Sequence, residues 1–163
     1  MSIIVDVEEA LKDRLAAEIE GVPALVKIMP VLDGDPVVAP VRVESYPSNP
    51  SEQLLLQLAT AGAVVVRYAG SKYGSKRVAG SIVVQDRTLT YEVQVFSRSL
   101  AARDSGAGIY ELLDLCALRL IGFLPESCVD GVELVQDDFV TEVKGAWAYG
   151  LLVSVKAQIQ KAV

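Results

Sequence analysis

The stretch WAYGLLVSVKAQI, residues 147–159, decides the fold. Trp147, Tyr149, Leu151, Val153, Val155, Ala157 and Ile159 fall at every second position. That is the period of a strand with one buried face. Thirteen residues at about 3.3 Å each span roughly 43 Å. A domain of 163 residues has an expected radius of gyration of about 15 Å, so it is only about 40 Å across. Such a strand crosses the whole sheet or projects beyond it. A projecting hairpin with an apolar face needs a partner surface, because an isolated hairpin is marginal in water. Oligomerisation is therefore the expectation. A strongly twisted strand within one monomer is the alternative.

Working outward, Val132–Val143 is the antiparallel partner, with a bulge expected near Asp137-Asp138. The segment Gly106–Phe123 is expected to be a helix. Ile109, Leu112, Leu113, Cys116, Leu120 and Ile121 mark its buried side, and Ser105 or Asp104 can cap it. Thr88–Ser97 alternates as a half-buried strand. Ser81–Gln85 is a further strand candidate, joined to it by a turn at Asp86-Arg87. The segment AGSKYGSKRVAG, residues 69–80, is rich in Gly, Ser and cations and reads as a flexible loop. Ala63–Tyr68 is a continuous β-branched run, hence a well-buried strand.

Asp6–Glu20 carries Val7, Leu11, Leu15 and Ile19 on one stripe and reads as the first helix. Asp6 and Glu9 fit a capping box there, with Gly21 and Pro23 as the stop. Ala24–Pro30 is a short strand candidate. Pro36, Pro40 and Pro47 make the 31–49 region an edge segment or an excursion. Asn49 as N-cap and Pro50 at the first position open a second, short helix that ends at Gly62.

The chain is long enough for one core and short for two, so residues 1–163 are read as a single domain. Mean hydropathy is +0.37 and 52% of residues are hydrophobic, which excludes wholesale disorder. No stretch approaches the roughly 18 apolar residues of a membrane span, and the opening MSIIVDVEEALKDRL lacks the basic start of a signal peptide. The chain has no histidine, which excludes Ser-His-Asp and Cys-His catalysis and histidine metal ligands in this polypeptide. Its two cysteines, Cys116 and Cys128, build neither a zinc site nor a disulfide framework and are expected to be reduced thiols. No enzyme, cofactor or metal is expected.

Charge is segregated along the chain. Residues 1–66 carry a net charge of −6, residues 67–103 carry +5 and residues 104–163 carry −5. A basic middle between acidic flanks suits head-to-tail contact between copies. Solvated loop cations are the alternative. The acidic whole, with Tyr73 as the one aromatic in the basic loop, argues against nucleic acid. Gly70 to Lys76 resembles a phosphate loop, but three residues separate its glycines instead of four, and Ser75 intervenes before the lysine. Asp33-Gly34-Asp35 lacks the remaining ligands of a calcium loop and reads as a turn.

The order of elements and several segments resemble the tail terminator (tail-completion) proteins of tailed bacteriophages, and most of all the Mu-like contractile-tail family. The segments are IIVDVEEALKDRLAAEI, AVVVRYAGSKYG, TYEVQVFSRS followed by GIYELLDLCALRLIGF, and WAYGLLVSVKAQI. The resemblance implies an α+β domain. Its antiparallel or mixed sheet would have about four to five strands, with two main helices packed on one face and a long projecting β-hairpin. It implies a non-enzymatic protein of the virion tail, assembled in the host cytoplasm. Six copies would ring the head-proximal end of the tail tube and stop its growth. Its implied partners are other copies, the tube and sheath proteins, and the neck or head-completion proteins, with no membrane and no sequence-specific nucleic acid. Ring or tube contacts are expected at Lys72, Tyr73, Lys76, Arg77 and Arg87, with Trp147 and Tyr149 beginning an interface strand. Another neck, head–tail joining or minor tail protein is the nearest alternative. A small nucleotide- or nucleic-acid-binding module using the 69–80 loop is the more distant one.

Overall fold

The computed structural model describes residues 2–29, 32–101 and 108–163. The fold is α+β, as expected. In chain order the elements are α1 (Ile3–Ala16), β1 (Val26–Met29), β2 (Val37–Pro40), β3 (Arg42–Ser45), α2 (Glu52–Ala61), β4 (Ala63–Ala79), β5 (Ile82–Ser97), α3 (Ile109–Leu120), β6 (Asp130–Val143) and β7 (Ala146–Ala162). The main sheet has the order β3-β4-β5-β7-β6, and β1 and β2 form a separate antiparallel pair. Only the β3–β4 pairing is parallel, so the five-stranded sheet is mixed.

The two-residue period puts Leu89, Tyr91, Val93 and Val95 of β5 beside Leu151, Val153, Val155 and Ala157 of β7 on one face. Against that face lie Val7, Leu11 and Leu15 of α1 and Ile109, Leu112 and Cys116 of α3. Each such fully buried Leu, Ile or Val contributes about 1.5–3 kcal/mol. These are the two helices expected on one face. The third helix lies on the other, where Leu58 and Ala59 of α2 pack on Ala63, Val65, Phe96, Ala146 and Ala148. The run Ala63–Val66 is apolar throughout because α1 covers one side of it and α2 the other.

Helix boundaries depart from the sequence reading at their caps. Ser2 caps α1, its Oγ accepting from the Ile4 N–H at 3.3 Å, so Asp6 lies in the first turn. There its carboxylate favours the helix dipole. The helix ends at Ala16, four residues before Glu20. Ser51, not Asn49, caps α2 by accepting from the Leu54 N–H at 3.2 Å. The caps foreseen at Asp104 and Ser105, and the helix start at Gly106, lie outside the described residues. α3 closes at Leu120, short of Phe123, and Gly122 turns the chain at φ 74°. There the Gly122 N–H donates to the Val132 carbonyl at 2.9 Å. A Cβ on Gly131 would come within 2.7 Å of the Gly122 oxygen, so this crossing accepts only glycine.

The larger correction concerns residues 69–80. Residues 69–79 form no loop but the outer half of β4, paired with β5 from Gly70↔Thr90 to Ala79↔Ile82. Gly80 and Ser81 make the turn, with Gly80 at φ 64°. Asp86 and Arg87 lie mid-strand and turn nothing. Gly, Ser and Lys are poor strand formers, but strand preference follows pairing, and a tight hairpin against Ile82–Val84 supplies it. Irregularities after Tyr68 and after Tyr73 absorb the extra residues. In β6, Asp137 and Asp138 stay in register with Leu151 and Gly150. The irregularities flank them, the nearest lying between Leu134 and Gln136 and between Phe139 and Thr141. Lys144 (φ 51°) and Gly145 (φ 78°) make the tight turn into β7.

The projecting element also differs from the one expected. β6 leaves β7 at Asp130↔Lys156, while β7 runs on beside β5 to Ala162. The projection is thus a three-stranded arm of β4, β5 and β7, not the β6–β7 hairpin. The proline-rich region does supply an edge, as expected, because β3 ends the sheet on one side.

Arg119 ties α1 to α3. Its side chain is 1% exposed, and its guanidinium donates to the carbonyls of Leu15 (3.0 Å), Pro23 (2.8 Å), Arg14 (3.4 Å) and Ala17. These acceptors include carbonyls that the end of α1 leaves without helical partners. Arg14 Nε in turn donates to the Arg119 carbonyl at 2.9 Å. Arg119→Met should cost about 3 kcal/mol or more in urea unfolding, because it strands several buried carbonyls. A loss below about 1 kcal/mol would show that water replaces the guanidinium.

Burial pushes the Cys116 thiol up to about 12 and the Cys128 thiol up to about 11, from an ordinary 9.0. Both should stay silent to Ellman's reagent at neutral pH in the native protein and react together on unfolding. Above pH 9 the unfolded chain releases thiol protons that the native chain keeps, so stability should fall as pH rises. Fast native labelling of Cys116 would contradict this burial.

Candidate assembly interface

Directly paired residues in a sheet share a face, so register places each side chain of the arm. Tyr73 pairs with Arg87, and Arg87 with Ala157, on the side that carries α1 and α3 nearer the base. Lys76 shares that side through Gln85 and Ile159. Lys72 and Arg77 point to the opposite side, beside Thr88 and Val84. The four residues foreseen as one loop cluster are therefore divided between two faces.

Arg87 organises the inner part of the arm. Its guanidinium lies over the Tyr73 ring, 5.4 Å from the centroid. Its Nε donates to Ser71 Oγ at 3.0 Å, and Nη2 donates to the Tyr68 hydroxyl at 3.4 Å. Tyr68 and Ser71 also share a hydrogen bond. That bond is the main cause lowering the Tyr68 pKa, with burial opposing it and Arg87 adding to it. Arg77 reaches Asp86 at 3.3 Å, and Gln158 Nε2 donates to the same carboxylate at 3.1 Å. The Arg77 hydrogen bond, then the Gln158 one, lowers the Asp86 pKa. Arg77 and Arg87 are thus occupied within the chain. Among the described residues no salt bridge engages Lys72 or Lys76.

Trp147 and Tyr149 stand elsewhere. Tyr149 pairs with Val95, eight positions along β7 from the Arg87 level, or about 26 Å. Both join an aromatic cluster beside the start of α3. Phe139 lies 6.3 Å from Trp147 and 5.7 Å from Tyr149, and Tyr110 lies 6.0 Å from Tyr149. Trp147 and Tyr149 are half-buried, while Phe139 is 54% exposed. The most open aromatic of this cluster, ahead of Tyr110 at 47%, therefore comes from β6, a residue the sequence reading passed over. Imperfect alternation around Asp137-Asp138-Phe139 was the available signal, and the interruptions beside Phe139 blurred it.

The sheet ends in two uncovered backbone edges. Among the described residues, β3 pairs only with Ala63–Val66, and no strand pairs with the outer edge of β4 from Arg67 to Ala79. β6 closes the other side, where Gly122 and Phe123 bond to Val132 and leave the edge open beyond it. β4 contains Arg67, Lys72, Lys76 and Arg77 and no carboxylate. β6 contains Asp130, Glu133, Asp137, Asp138 and Glu142 and no cation. Exposed apolar side chains sit among these charges: Tyr73 and Val78 on β4, and Val135, Phe139 and Val140 on β6.

Among the described residues no group of three or more carboxylates and thiols could hold a metal ion, and no helix is long and apolar enough to cross a membrane. The phosphate-loop likeness at 70–76 loses its premise, because those residues are strand with their N–H groups along a ladder and an edge.

No curated protein matches the chain. A family model described as Gp37 protein matches residues 37–162, from the first residue of β2 to the last of β7. The match takes in the whole main sheet, both of its free edges, α2 and α3, and the chain belongs to the Gp37 protein family, a phage-related family.

Proposed function

We propose that this protein is a tail terminator, a non-enzymatic structural protein of a phage or phage-tail-like particle. In this reading several copies, six by the resemblance, form a ring on the head-proximal end of the tail tube. The ring stops tube polymerisation, and in a contractile tail it also anchors the sheath. Its far surface receives the neck or head-completion proteins.

The observation that carries the reading is the pair of free sheet edges at either side of one small domain, each with charges of a single sign. Membership of a phage-related family supports it. So do the ordered segments quoted from the sequence and the absence of histidine from the chain. A domain of this size with two unlike edges is built to be repeated, since a heterologous contact closes a ring when its rotation divides a full turn.

Particles assembled without this chain should carry tails of uncontrolled length and fail to join heads, as seen by electron microscopy. Purified protein added to growing tubes should fix their length and add a disc to one end. A closed hexamer would have a mass of about 104 kDa, from a chain of 17.4 kDa. Tails of normal length that join heads in its absence would overturn the reading. Tails of normal length that merely fail to join heads would favour a neck or head–tail joining protein instead.

A further inference from the structure

We propose that successive copies of this chain join by pairing the free edge of β4 in one copy with the free edge of β6 in the next. The contact continues the sheet from copy to copy. It rests on the ring reading for the number of copies, but the contact is a property of the chain itself.

An uncovered edge strand offers unpaired N–H and C=O groups to any other strand, and proteins usually blunt it with charge or a bulge. Here, among the described residues, no strand pairs with the outer edge of β4 over Arg67–Ala79 or of β6 over residues 134–143. Both are blunted by charge, but with opposite signs. Two β4 edges repel each other, and so do two β6 edges. A β4 edge meeting a β6 edge is the one combination in which charges attract. The sign pattern thus rejects two-fold dimers and selects the head-to-tail arrangement.

Direction agrees with this choice. β4, β5, β7 and β6 alternate in direction, each antiparallel to the next, so β4 and β6 run oppositely within one copy. Rotating a copy about an axis near the strand direction preserves that opposition. The new pair is then antiparallel, like three of the four pairings already in the sheet. Asp138 of β6 lies level with Val65 of β4, through Gly150 and Gln94. Overlap of the two free stretches therefore staggers neighbouring copies along the strands, and strand tilt takes up such a stagger when a sheet closes.

Side chains on both faces fit the pairing. Lys76, Tyr73 and Val78 share the α1–α3 side of β4, and Asp137 and Phe139 share that side of β6. Lys72 and Arg77 share the other side, as does Asp138 of β6. Among the described residues, no salt bridge within the chain uses Lys72, Lys76, Asp137 or Asp138. Tyr73, 55% exposed, and Phe139 supply apolar surface for the same contact.

Charge exchange tests this directly. One variant carries Lys72→Glu and Lys76→Glu, and a second carries Asp137→Lys and Asp138→Lys. Circular dichroism and the melting temperature establish that each is folded. Native mass spectrometry and analytical ultracentrifugation at high concentration then read association. The wild-type chain is expected to assemble. Each variant alone should associate at least about a hundredfold more weakly, because the exchanged positions then face like charges across the contact. An equimolar mixture of the two should assemble again, as alternating copies, and so should the single chain carrying all four substitutions. A disulfide between Lys76→Cys in one copy and Asp137→Cys in another should give a ladder of linked chains. The proposal is overturned if the wild type stays monomeric without edge cross-links, if either variant assembles like the wild type, or if neither the mixture nor the fourfold variant recovers. Loss of tube binding with self-association intact would assign the edges to another protein and likewise overturn it. Rings that obey the exchange but leave tail length unaffected would refute the terminator reading alone.

Discussion

β5 is hydrogen-bonded on both sides, to β4 and to β7, along nearly its whole length. The rest of the molecule follows from that double pairing. At the base, the alternation of Leu89, Tyr91, Val93 and Val95 fixes which face receives α1 and α3, since a shift of one residue would expose the whole set. At the tip the same register continues beyond the helices. Lys72, Tyr73, Lys76 and Arg77 are thereby held on a hydrogen-bonded arm, although nothing in their own composition favours a strand. One ladder thus builds both the core and the surface that reaches away from it.

The helices are secured by a different device. Arg119 places a cation inside the protein with carbonyl groups as its described partners. Burial, and after it the charge of Arg14, lowers its pKa from the ordinary arginine value. The planar guanidinium offers several donors in a fixed fork, which suits a cluster of carbonyls better than an ammonium would. Tyr91 adds a second tie, its hydroxyl donating to the Ile4 carbonyl at 2.7 Å at the opposite end of α1. α1 is therefore held at both ends by polar contacts and along its length by Val7, Leu11 and Leu15.

The charge of the chain takes its meaning from the sheet order. A basic middle and acidic flanks in sequence become a basic strand on one side and an acidic strand on the other, because β5 and β7 separate β4 from β6. Had β6 paired with β4 inside the monomer, the charges would have neutralised each other and left no free edges of opposite sign. The separation leaves the two charges on opposite margins of the sheet. Two of the four β4 cations are nevertheless occupied at home, Arg67 by Glu92 at 2.9 Å and Arg77 by Asp86 at 3.3 Å. The two lysines are left as the freer pair, consistent with a flexible stem and a compact charge suited to an adaptable contact.

The sequence by itself determined the fold class, the buried faces of β5, β7, α1 and α3, the edge character of the proline-rich region and the segregation of charge. Period and net charge are local properties, and a strand or helix that buries one face must display them. Helix starts were less legible, because Ser2 competes with Asp6, and Ser51 with Asn49, for the same capping role. Only the tertiary structure decided that residues 69–79 are strand, that the arm belongs to β4, β5 and β7, and that Tyr149 and Trp147 stand about 26 and 33 Å along β7 from the level of Arg87. Strand formation by Gly, Ser and Lys depends on a partner ladder, and the partner is chosen by pairing across the chain, which no local pattern encodes. For the same reason the acidic edge and its exposed Phe139 came into view only when the strand order set β6 at the margin of the sheet.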